Sequence, residues 1–307
     1  MFSRSTWPLR GFPTGSRSAL CAVWLLVGAP ILGAETLESL RAQSRGETYE
    51  EPTLQDLRSA ELLFAKLLCP DQDRKQIDLL CDALEWETLE LQQGGTTFLI
   101  VKERAGKKRG WGFYAFRIDR RTGVALEAPH ALDDARTGTL ADLLFRETPC
   151  AAAAWSTVPR ETPIGRTGST ADLAHIGDSV YHSFTRAFIS AFPRGIIIQL
   201  HGFEATARAT EAGAASAAIL SDGTRSPRPW MSELVTCLEA ALRAKVSLYP
   251  RDVSELGGTT NTHGRLLRKA RHAGFVHIEL GAEARRELCG DAEIRTKSWR
   301  CIPEAQP

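Results

Sequence analysis

The first clear hydrophobic pattern lies between residues 35 and 84, where apolar side chains recur at helical spacing. In the middle of this stretch they are Leu54, Leu57, Leu62, Leu63, Leu67 and Leu68. Spacings of three and four residues place such side chains on one face of a helix. We therefore predict an N-terminal helical segment over residues 35–84, which caps the rest of the fold.

After residue 84 the pattern changes to short apolar runs that are typical of strands. The first β-like runs cover residues 88–91, 97–101, 111–118 and 124–128. Further on, strand-like runs at 195–200 and 275–280 alternate with helical stretches at 137–145, 179–192 and 230–243. Such alternation indicates an α/β domain over residues 85–307, in which a mixed, mainly parallel sheet is flanked by helices.

Residues 1–34 differ from the rest of the chain. Their only charges are arginines, and an apolar stretch from residue 19 ends in Leu32-Gly33-Ala34. This is the layout of a secretory signal peptide that is cleaved after Ala34. An uncleaved anchor is the alternative, but the stretch is short for a membrane span of about 20 residues. We expect a periplasmic or secreted protein with no stable membrane insertion after cleavage.

The charge balance argues against a nucleic-acid partner. The formal net charge is +1, from 38 basic and 37 acidic residues. No cluster of lysine and arginine coincides with aromatic residues, as a nucleic-acid groove would require. The expected partner is a small substrate.

Six cysteines follow the predicted signal peptide: Cys69, Cys81, Cys150, Cys237, Cys289 and Cys301. In an exported protein they predict up to three disulfides, for which 15 pairings exist. Pairing Cys69 with Cys81 and Cys289 with Cys301 closes short loops and leaves Cys150 for Cys237. Buried free thiols are the alternative. Because no Cys-x-x-Cys pair occurs, a cysteine zinc site is not expected.

Two histidines stand at the ends of predicted strands. His130 follows a strand that Pro129 terminates, with Asp133 and Asp134 three and four residues further on, and His201 closes the most apolar strand. Two imidazoles and one carboxylate are a ligand set for Zn²⁺ that leaves a position open for water. The alternative is that an aspartate caps the helix near residue 137 and that His130 is a core histidine.

A carboxylate on the last predicted strand is the candidate base. Glu279 lies two residues after His277, so both side chains fall on one face of that strand. Burial in an apolar strand raises the pKa of an unpaired carboxyl towards the range of a general base. An ion pair of Glu279 with a nearby arginine is the competing interpretation, and Glu127 is a weaker candidate for the same role.

Three short motifs together resemble a known family: Ala128-Pro129-His130 with Asp134, Thr137 and Gly138; Gln199-Leu200-His201-Gly202; and Ile278-Glu279-Leu280. They resemble the zinc carboxypeptidase-like superfamily, and within it the N-formylglutamate amidohydrolases and the poly-γ-glutamate hydrolases. The resemblance implies a phosphorylase/hydrolase-like α/β fold and a Zn²⁺ cofactor. It also implies His130, Asp134 and His201 as metal ligands and Glu279 as the base. The superfamily commonly has glutamate where this chain has aspartate, so Asp133 remains an alternative to Asp134.

Further polar residues are candidates for substrate binding. Arg186 and Arg265 offer bidentate contacts to a substrate carboxylate, and His182 and Asn261 lie beside them in sequence. We thus expect an exported zinc-dependent amidohydrolase or peptidase that acts on an acidic or γ-glutamyl-type amide. A non-catalytic binding protein of the same fold, recognising cell-wall or polyglutamate fragments, is the alternative. A serine hydrolase is disfavoured because no Gly-x-Ser-x-Gly motif occurs.

Overall fold

The computed structural model describes residues 35–69, 73–119, 122–165 and 168–303. The predicted signal peptide, residues 1–34, lies outside the described residues. Within them, no helix is both long enough and apolar enough to cross a membrane.

The helices and strands of the described chain alternate along most of its length. The helices are α1 (Leu37–Gln43), α2 (Leu54–Leu68), α3 (Arg74–Leu84), α4 (Thr137–Glu147), α5 (Val180–Ala191), α6 (Glu211–Ala214), α7 (Trp230–Leu242), α8 (Thr262–Lys269), α9 (Ala282–Gly290) and α10 (Ala292–Arg300), with a short 3-10 turn at Ala205–Ala207. The strands are β1 (Trp86–Gln93), β2 (Thr96–Glu103), β3 (Phe113–Arg117), β4 (Thr122–Ala128), β5 (Cys150–Trp155), β6 (Pro163–Ile164), β7 (Ser169–Thr170), β8 (Ile196–Phe203), β9 (Ala218–Ser221), β10 (Val246–Leu248) and β11 (Phe275–Gly281).

Among the described residues, nine of the strands form one sheet in the order β1-β2-β3-β5-β4-β8-β11-β9-β10, while β6 and β7 pair separately. The four central strands, β5, β4, β8 and β11, run parallel to one another. Antiparallel pairs join them to β3 on one side and to β9 on the other. The predicted mixed sheet flanked by helices is confirmed, with its parallel strands in the centre. The carboxyl ends of β4, β8 and β11 therefore meet at one edge.

Alternate residues of the central strands enter two cores on opposite faces of the sheet. On β8, Ile196, Ile198 and Leu200 pack into the core that α4, α7 and α9 cover. Ile197 enters the other core, which α2, α5 and α8 cover. Because strand side chains alternate, Gln199 and His201 lie on the same face as Ile197. The polar residues near the end of β8 therefore face α5 and α8.

Helices α2 and α3 pack on that same face, whereas α1 packs with α4 on the opposite face. Helix α2 begins at a capping box in which the side chains and backbone N–H groups of Thr53 and Asp56 bond reciprocally. Its buried face includes Phe64, which contacts Phe184 of α5 edge to face with ring centroids 5.6 Å apart. Not every leucine at helical spacing is buried, since Leu54 is 71% exposed.

The cysteine pairing expected from short loops was wrong. Cys237 of α7 forms a disulfide with Cys301, which directly follows α10, across 64 residues of sequence. The physical reason is that α10 packs against α7, which brings these two sulfurs together. The other four described cysteines, Cys69, Cys81, Cys150 and Cys289, are free thiols.

Replacement of a buried carboxyl on α4 is expected to stabilise the fold measurably. Asp142 is 2% exposed, and its Oδ1 has no hydrogen-bond partner in the described chain. Burial raises its pKa to about 6, although the charge of Arg41 opposes this shift. The folded-state pKa lies above the unfolded one, so ionisation destabilises the fold at neutral pH and this cost disappears as the pH falls towards 4. Asp142→Asn is expected to raise the unfolding free energy at pH 7.5 by up to about 3 kcal/mol.

Urea denaturation at pH 7.5 and pH 4.5 checks this expectation. The gain should shrink at the lower pH because the wild-type carboxyl is then mostly protonated. An equal effect of the substitution at both pH values would show that ionisation of Asp142 is not its cause.

Candidate metal centre and active site

Three side chains converge at the carboxyl edge of the central strands. His130 lies two residues after the end of β4, and Asp134 follows in a turn in which its backbone N–H donates to the His130 carbonyl at 2.9 Å. His201 lies near the end of the neighbouring strand β8. Nδ1 of His130 is 3.2 Å from Nδ1 of His201 and 3.4 Å from Oδ2 of Asp134. The third separation, from His201 Nδ1 to Asp134 Oδ2, is 3.7 Å.

These separations fit a single tetrahedral metal ion. Two ligand atoms that bind one zinc ion at 2.0–2.1 Å with tetrahedral angles lie about 3.3 Å apart. The three measured separations, 3.2, 3.4 and 3.7 Å, bracket that value. The residues present therefore fit Zn²⁺, with three protein ligands and room for a fourth.

Hydrogen bonds behind the two imidazoles fix the orientation of their rings. Nε2 of His130 lies 2.9 Å from Oδ1 of Asp172, and Nε2 of His201 lies 2.9 Å from Oε1 of Gln199. Both partners are acceptors, so each Nε2 carries a proton and donates it. The other ring nitrogen of each histidine, Nδ1, faces the shared position. Metal-binding histidines are usually held in this way by a second acceptor.

The site requires a positive charge between its ligand atoms. Without a metal, a proton supplies that charge: burial lowers the pKa of His130, but hydrogen bonds to Asp134 and Asp172 outweigh burial and raise it to about 9. Burial lowers the pKa of His201 to about 4, so only one of the two imidazoles, that of His130, has protons on both ring nitrogens and a positive charge. The pKa of Asp134 lies well below its usual range, because its contacts to the two histidines outweigh the opposing effect of burial. A divalent cation would take the place of this proton.

Glu279 lies beside these ligands on β11, directly opposite His201 in the register of the two strands. One of its carboxylate oxygens is within 4.8 Å of a ring nitrogen of His201, and Oε1 is 3.7 Å from Nε2 of His277. Among the described residues no group donates a hydrogen bond to it. Burial, with the nearby charge of Asp134, raises its pKa to about 7. Glu279 therefore has the properties of a general base at neutral pH.

The ligands and Glu279 line one open cavity of about 520 Å³. Asn261, predicted to bind substrate, also lines this cavity. His182 is buried on α5, and its Nε2 lies 3.4 Å from the backbone carbonyl of Thr262. Arg186, also on α5, pairs with Glu61 at 2.7 Å and lines a different surface depression.

Arg265 is exposed on α8 and does not line the cavity. Asp133, the alternative metal ligand, accepts a hydrogen bond from the backbone N–H of Arg160 at 2.9 Å. Glu127, the weaker candidate base, is fully buried and lies outside the cavity lining. The structure thus brings together the three predicted ligands, the predicted base and one of the four predicted substrate residues.

Sequence reasoning gave no role to two residues at the site, Gln199 and Arg208. Gln199 could have been found, because a polar residue two positions before His201 must share its strand face. Arg208 lines the cavity from the irregular segment after β8, where no periodic pattern marks it. Nothing in the sequence indicates the contact of Asp172 with His130.

Comparisons with known proteins gave similar structures but no sequence relatives. No protein-family model matches the chain, and no curated protein sequence matches it. Similar solved structures include the N-formylglutamate amidohydrolase of Ralstonia eutropha JMP134, with 14% identity and a TM-score of 0.38 over 63% of this chain and 100% of that chain.

Two further similar structures carry hydrolase names. A bacteriophage poly-γ-glutamate hydrolase has 10% identity and a TM-score of 0.35 over 59% of this chain and 83% of its own. The succinylglutamate desuccinalase of Vibrio parahaemolyticus has 14% identity and a TM-score of 0.36 over 65% of this chain and 70% of its own. The function of this chain has to be argued from the geometry of its own side chains.

Proposed function

We propose that the protein is a zinc-dependent hydrolase that cleaves an amide bond in a small acidic or γ-glutamyl-type substrate. The observation that carries this proposal is the spacing of His130, Asp134 and His201, which matches one tetrahedral ion. The carboxylate of Glu279 lies next to them, and no group among the described residues donates a hydrogen bond to it. A metal site with three protein ligands and an adjoining cavity is the arrangement of a catalytic zinc centre rather than a structural one.

The three ligands would hold Zn²⁺ through Nδ1 of His130, Nδ1 of His201 and Oδ2 of Asp134. When bound, the ion would polarise the scissile carbonyl and lower the pKa of a coordinated water to about 7. Asp172 and Gln199 keep the two imidazoles in the required orientation through their contacts with Nε2.

Glu279 moves the proton in this proposal. Its carboxylate accepts a proton from the attacking water as the new C–O bond forms. The same proton then passes to the leaving nitrogen as the C–N bond breaks, so that a carboxylic acid and an amine result. Burial raises the pKa of this carboxyl above its usual value, which favours both the uptake and the release of a proton at neutral pH.

Arg208 supports an acidic substrate. Its Nε donates to the backbone carbonyl of Glu204 at 3.2 Å and its Nη1 donates to Glu255 at 3.3 Å, which fixes the guanidinium at the cavity wall. Arg208 and Glu279 line the same cavity, and the charge of Arg208 opposes the effect of burial on the pKa of Glu279. Among the described residues Nη2 has no hydrogen-bond partner and is available to a substrate carboxylate.

We also propose that the protein is exported. The signal-like pattern of residues 1–34 supports this, and so does the disulfide between Cys237 and Cys301. Disulfides of this kind persist in oxidising compartments such as the periplasm.

The experiment that tests the function measures hydrolysis and metal content together. Purified protein should contain about one zinc ion, lose turnover of N-acyl-glutamate or γ-glutamyl substrates on chelation, and regain it when zinc is returned. A protein that neither contains nor binds zinc would contradict the proposal and favour a non-catalytic binding protein.

Arg208→Gln is expected to raise KM for an N-acyl-glutamate about 10–100-fold, because a charged hydrogen bond contributes about 1.5–3 kcal/mol. The KM for the matching N-acyl-glutamine, which has an amide in place of the side-chain carboxylate, should change little. Arg265→Gln is the matched control, since this arginine lies outside the cavity. If Arg265→Gln raises KM and Arg208→Gln does not, the sequence-based assignment of the substrate-binding arginine is the right one.

A further inference from the structure

A buried polar network lies behind His201 and reaches the cavity wall at Asn261. Its centre is Gln199, which is fully buried and uses both ends of its amide. Oε1 accepts from Nε2 of His201 at 2.9 Å and also from Nδ2 of Asn261. Nε2 of Gln199 donates to Oε2 of Glu127 at 2.8 Å. The orientation of this one amide therefore decides what His201 contacts.

Glu127 fixes the donor end of Gln199 as an ionised carboxylate. Burial raises its pKa, but the charge and hydrogen bonds of its neighbours outweigh burial and hold the pKa below its usual value. Thr185 has a single hydroxyl proton and donates it to Oε1 of Glu127 at 2.7 Å. Nδ1 of His263, which also contacts that hydroxyl, must then be the donor to it. The other ring nitrogen of His263 donates to the carbonyl of Leu173 at 2.9 Å. With both nitrogens protonated, His263 is a cation and balances a negatively charged Glu127, which can only accept.

Asn261 fixes the acceptor end of Gln199. Its own Oδ1 caps helix α8 by accepting from the backbone N–H groups of His263 at 2.9 Å and Gly264 at 3.2 Å. The amide nitrogen of Asn261 must therefore point towards Gln199, which has to present oxygen to it. A flipped Gln199 would face a donor with its NH₂ group and a carboxylate with its oxygen, so both contacts would become repulsive.

We propose that Asn261 and Glu127 hold Gln199 by opposite ends and thereby keep the proton of His201 on Nε2, which leaves Nδ1 for the metal ion. Gln199, Asn261 and Glu127 are positioning residues for His201. The inference deepens the metal site on which the proposed function rests. Changes to such outer partners of a metal-binding histidine typically lower metal affinity 10–100-fold.

Asn261→Asp is the decisive variant. Aspartate still caps α8. However, it faces Oε1 of Gln199 with a carboxylate oxygen, which is an acceptor, where asparagine has an NH₂ donor. At pH 8 we expect the proton of His201 to move to Nδ1, and the zinc dissociation constant to rise about 10–100-fold. Nitrogen-15 NMR of the imidazoles in the metal-free protein reports the first, and competition with a chromophoric chelator reports the second.

Asn261→Ser is the matched control. Serine also caps a helix, but it brings no carboxylate, and Glu127 still orients Gln199. It should leave the proton of His201 on Nε2 and lower zinc affinity far less than Asn261→Asp does. An equal loss with both variants would overturn the proposal, because packing rather than orientation would then explain it. A proton that stays on Nε2 in Asn261→Asp would overturn it as well.

A double variant that exchanges the side chains of Gln199 and Glu127 gives a second, independent test. In the double variant Gln199→Glu with Glu127→Gln, a carboxylate accepts from His201 and Asn261, while the new amide at position 127 donates to that carboxylate. We expect the proton of His201 to stay on Nε2, and a shift to Nδ1 would contradict the inference. NMR of the metal-free protein tests this inference separately from the proposed function. Wild-type protein that fails to bind zinc would refute the function, but the ring nitrogen that carries the His201 proton would still decide the inference.

Discussion

Glu279→Gln is expected to lower kcat about 10²–10⁴-fold, the usual contribution of a positioned general base. Glutamine has almost the same shape as glutamate but cannot accept a proton from water. Zinc content should stay near one ion per chain, because the proposed ligand atoms belong to His130, Asp134 and His201. Turnover and bound zinc, measured on the same preparation, separate loss of the base from loss of the metal.

Glu204→Gln is the matched control, because Glu204 also lines the cavity but pairs with Arg285 at 2.8 Å. It should leave kcat close to the wild-type value. A Glu279→Gln protein that keeps its activity would show that Glu279 is not the base. One that loses zinc as well would show that Glu279 is a ligand.

The pH profile gives a further check on the base. Burial raises the pKa of Glu279 to about 7 without a metal, and a bound cation nearby would lower it. Because the base must be ionised, kcat/KM should fall on the acidic side of its profile. The fall should begin at or below about pH 7 and approach a tenfold loss for each further pH unit. Glu279→Gln should remove this acidic limb from whatever activity remains.

The site residues that sequence could find are those that regular strand geometry places. His201 and Glu279 stand near the ends of apolar strands, and the period of two puts Glu279 and His277 on one face. Strand alternation does not say which strands are neighbours. That β4, β8 and β11 are adjacent follows from the crossover connections, and only this adjacency brings His130 to within 3.2 Å of His201.

Residues on irregular segments were beyond such reasoning. Arg208 reaches the cavity because Glu255, 47 residues later, accepts from it and from the backbone N–H groups of Ala209 and Thr210. No local pattern encodes that contact between two loops. By contrast, Arg186 and Arg265 lie on helices, and their positions relative to the cavity depend on how each helix rotates against the sheet. The disulfide from Cys237 to Cys301 likewise follows from helix packing rather than from spacing.

The adjacent carboxylates of Asp133 and Asp134 offer the sharpest test of the metal centre. Oδ2 of Asp134 faces both imidazoles and accepts from the backbone N–H of Gly202 at 3.0 Å. Asp134→Asn keeps an oxygen for that N–H but removes the negative charge. We expect the zinc dissociation constant to rise more than about 100-fold, since changes to outer partners alone cost 10–100-fold.

Asp133→Asn should bind zinc almost as wild type does. Its carboxylate serves the backbone N–H of Arg160, and the amide oxygen of asparagine can accept the same bond. Chelator competition on the two variants compares residues of the same type, one position apart, in the same turn. If Asp133→Asn loses zinc and Asp134→Asn keeps it, the turn after β4 must rearrange when the ion binds and the ligand is Asp133. The predicted result, loss of zinc in Asp134→Asn but not in Asp133→Asn, requires no rearrangement. The proposed ligand atoms of Asp134 and the two histidines already lie at the separations that one ion imposes.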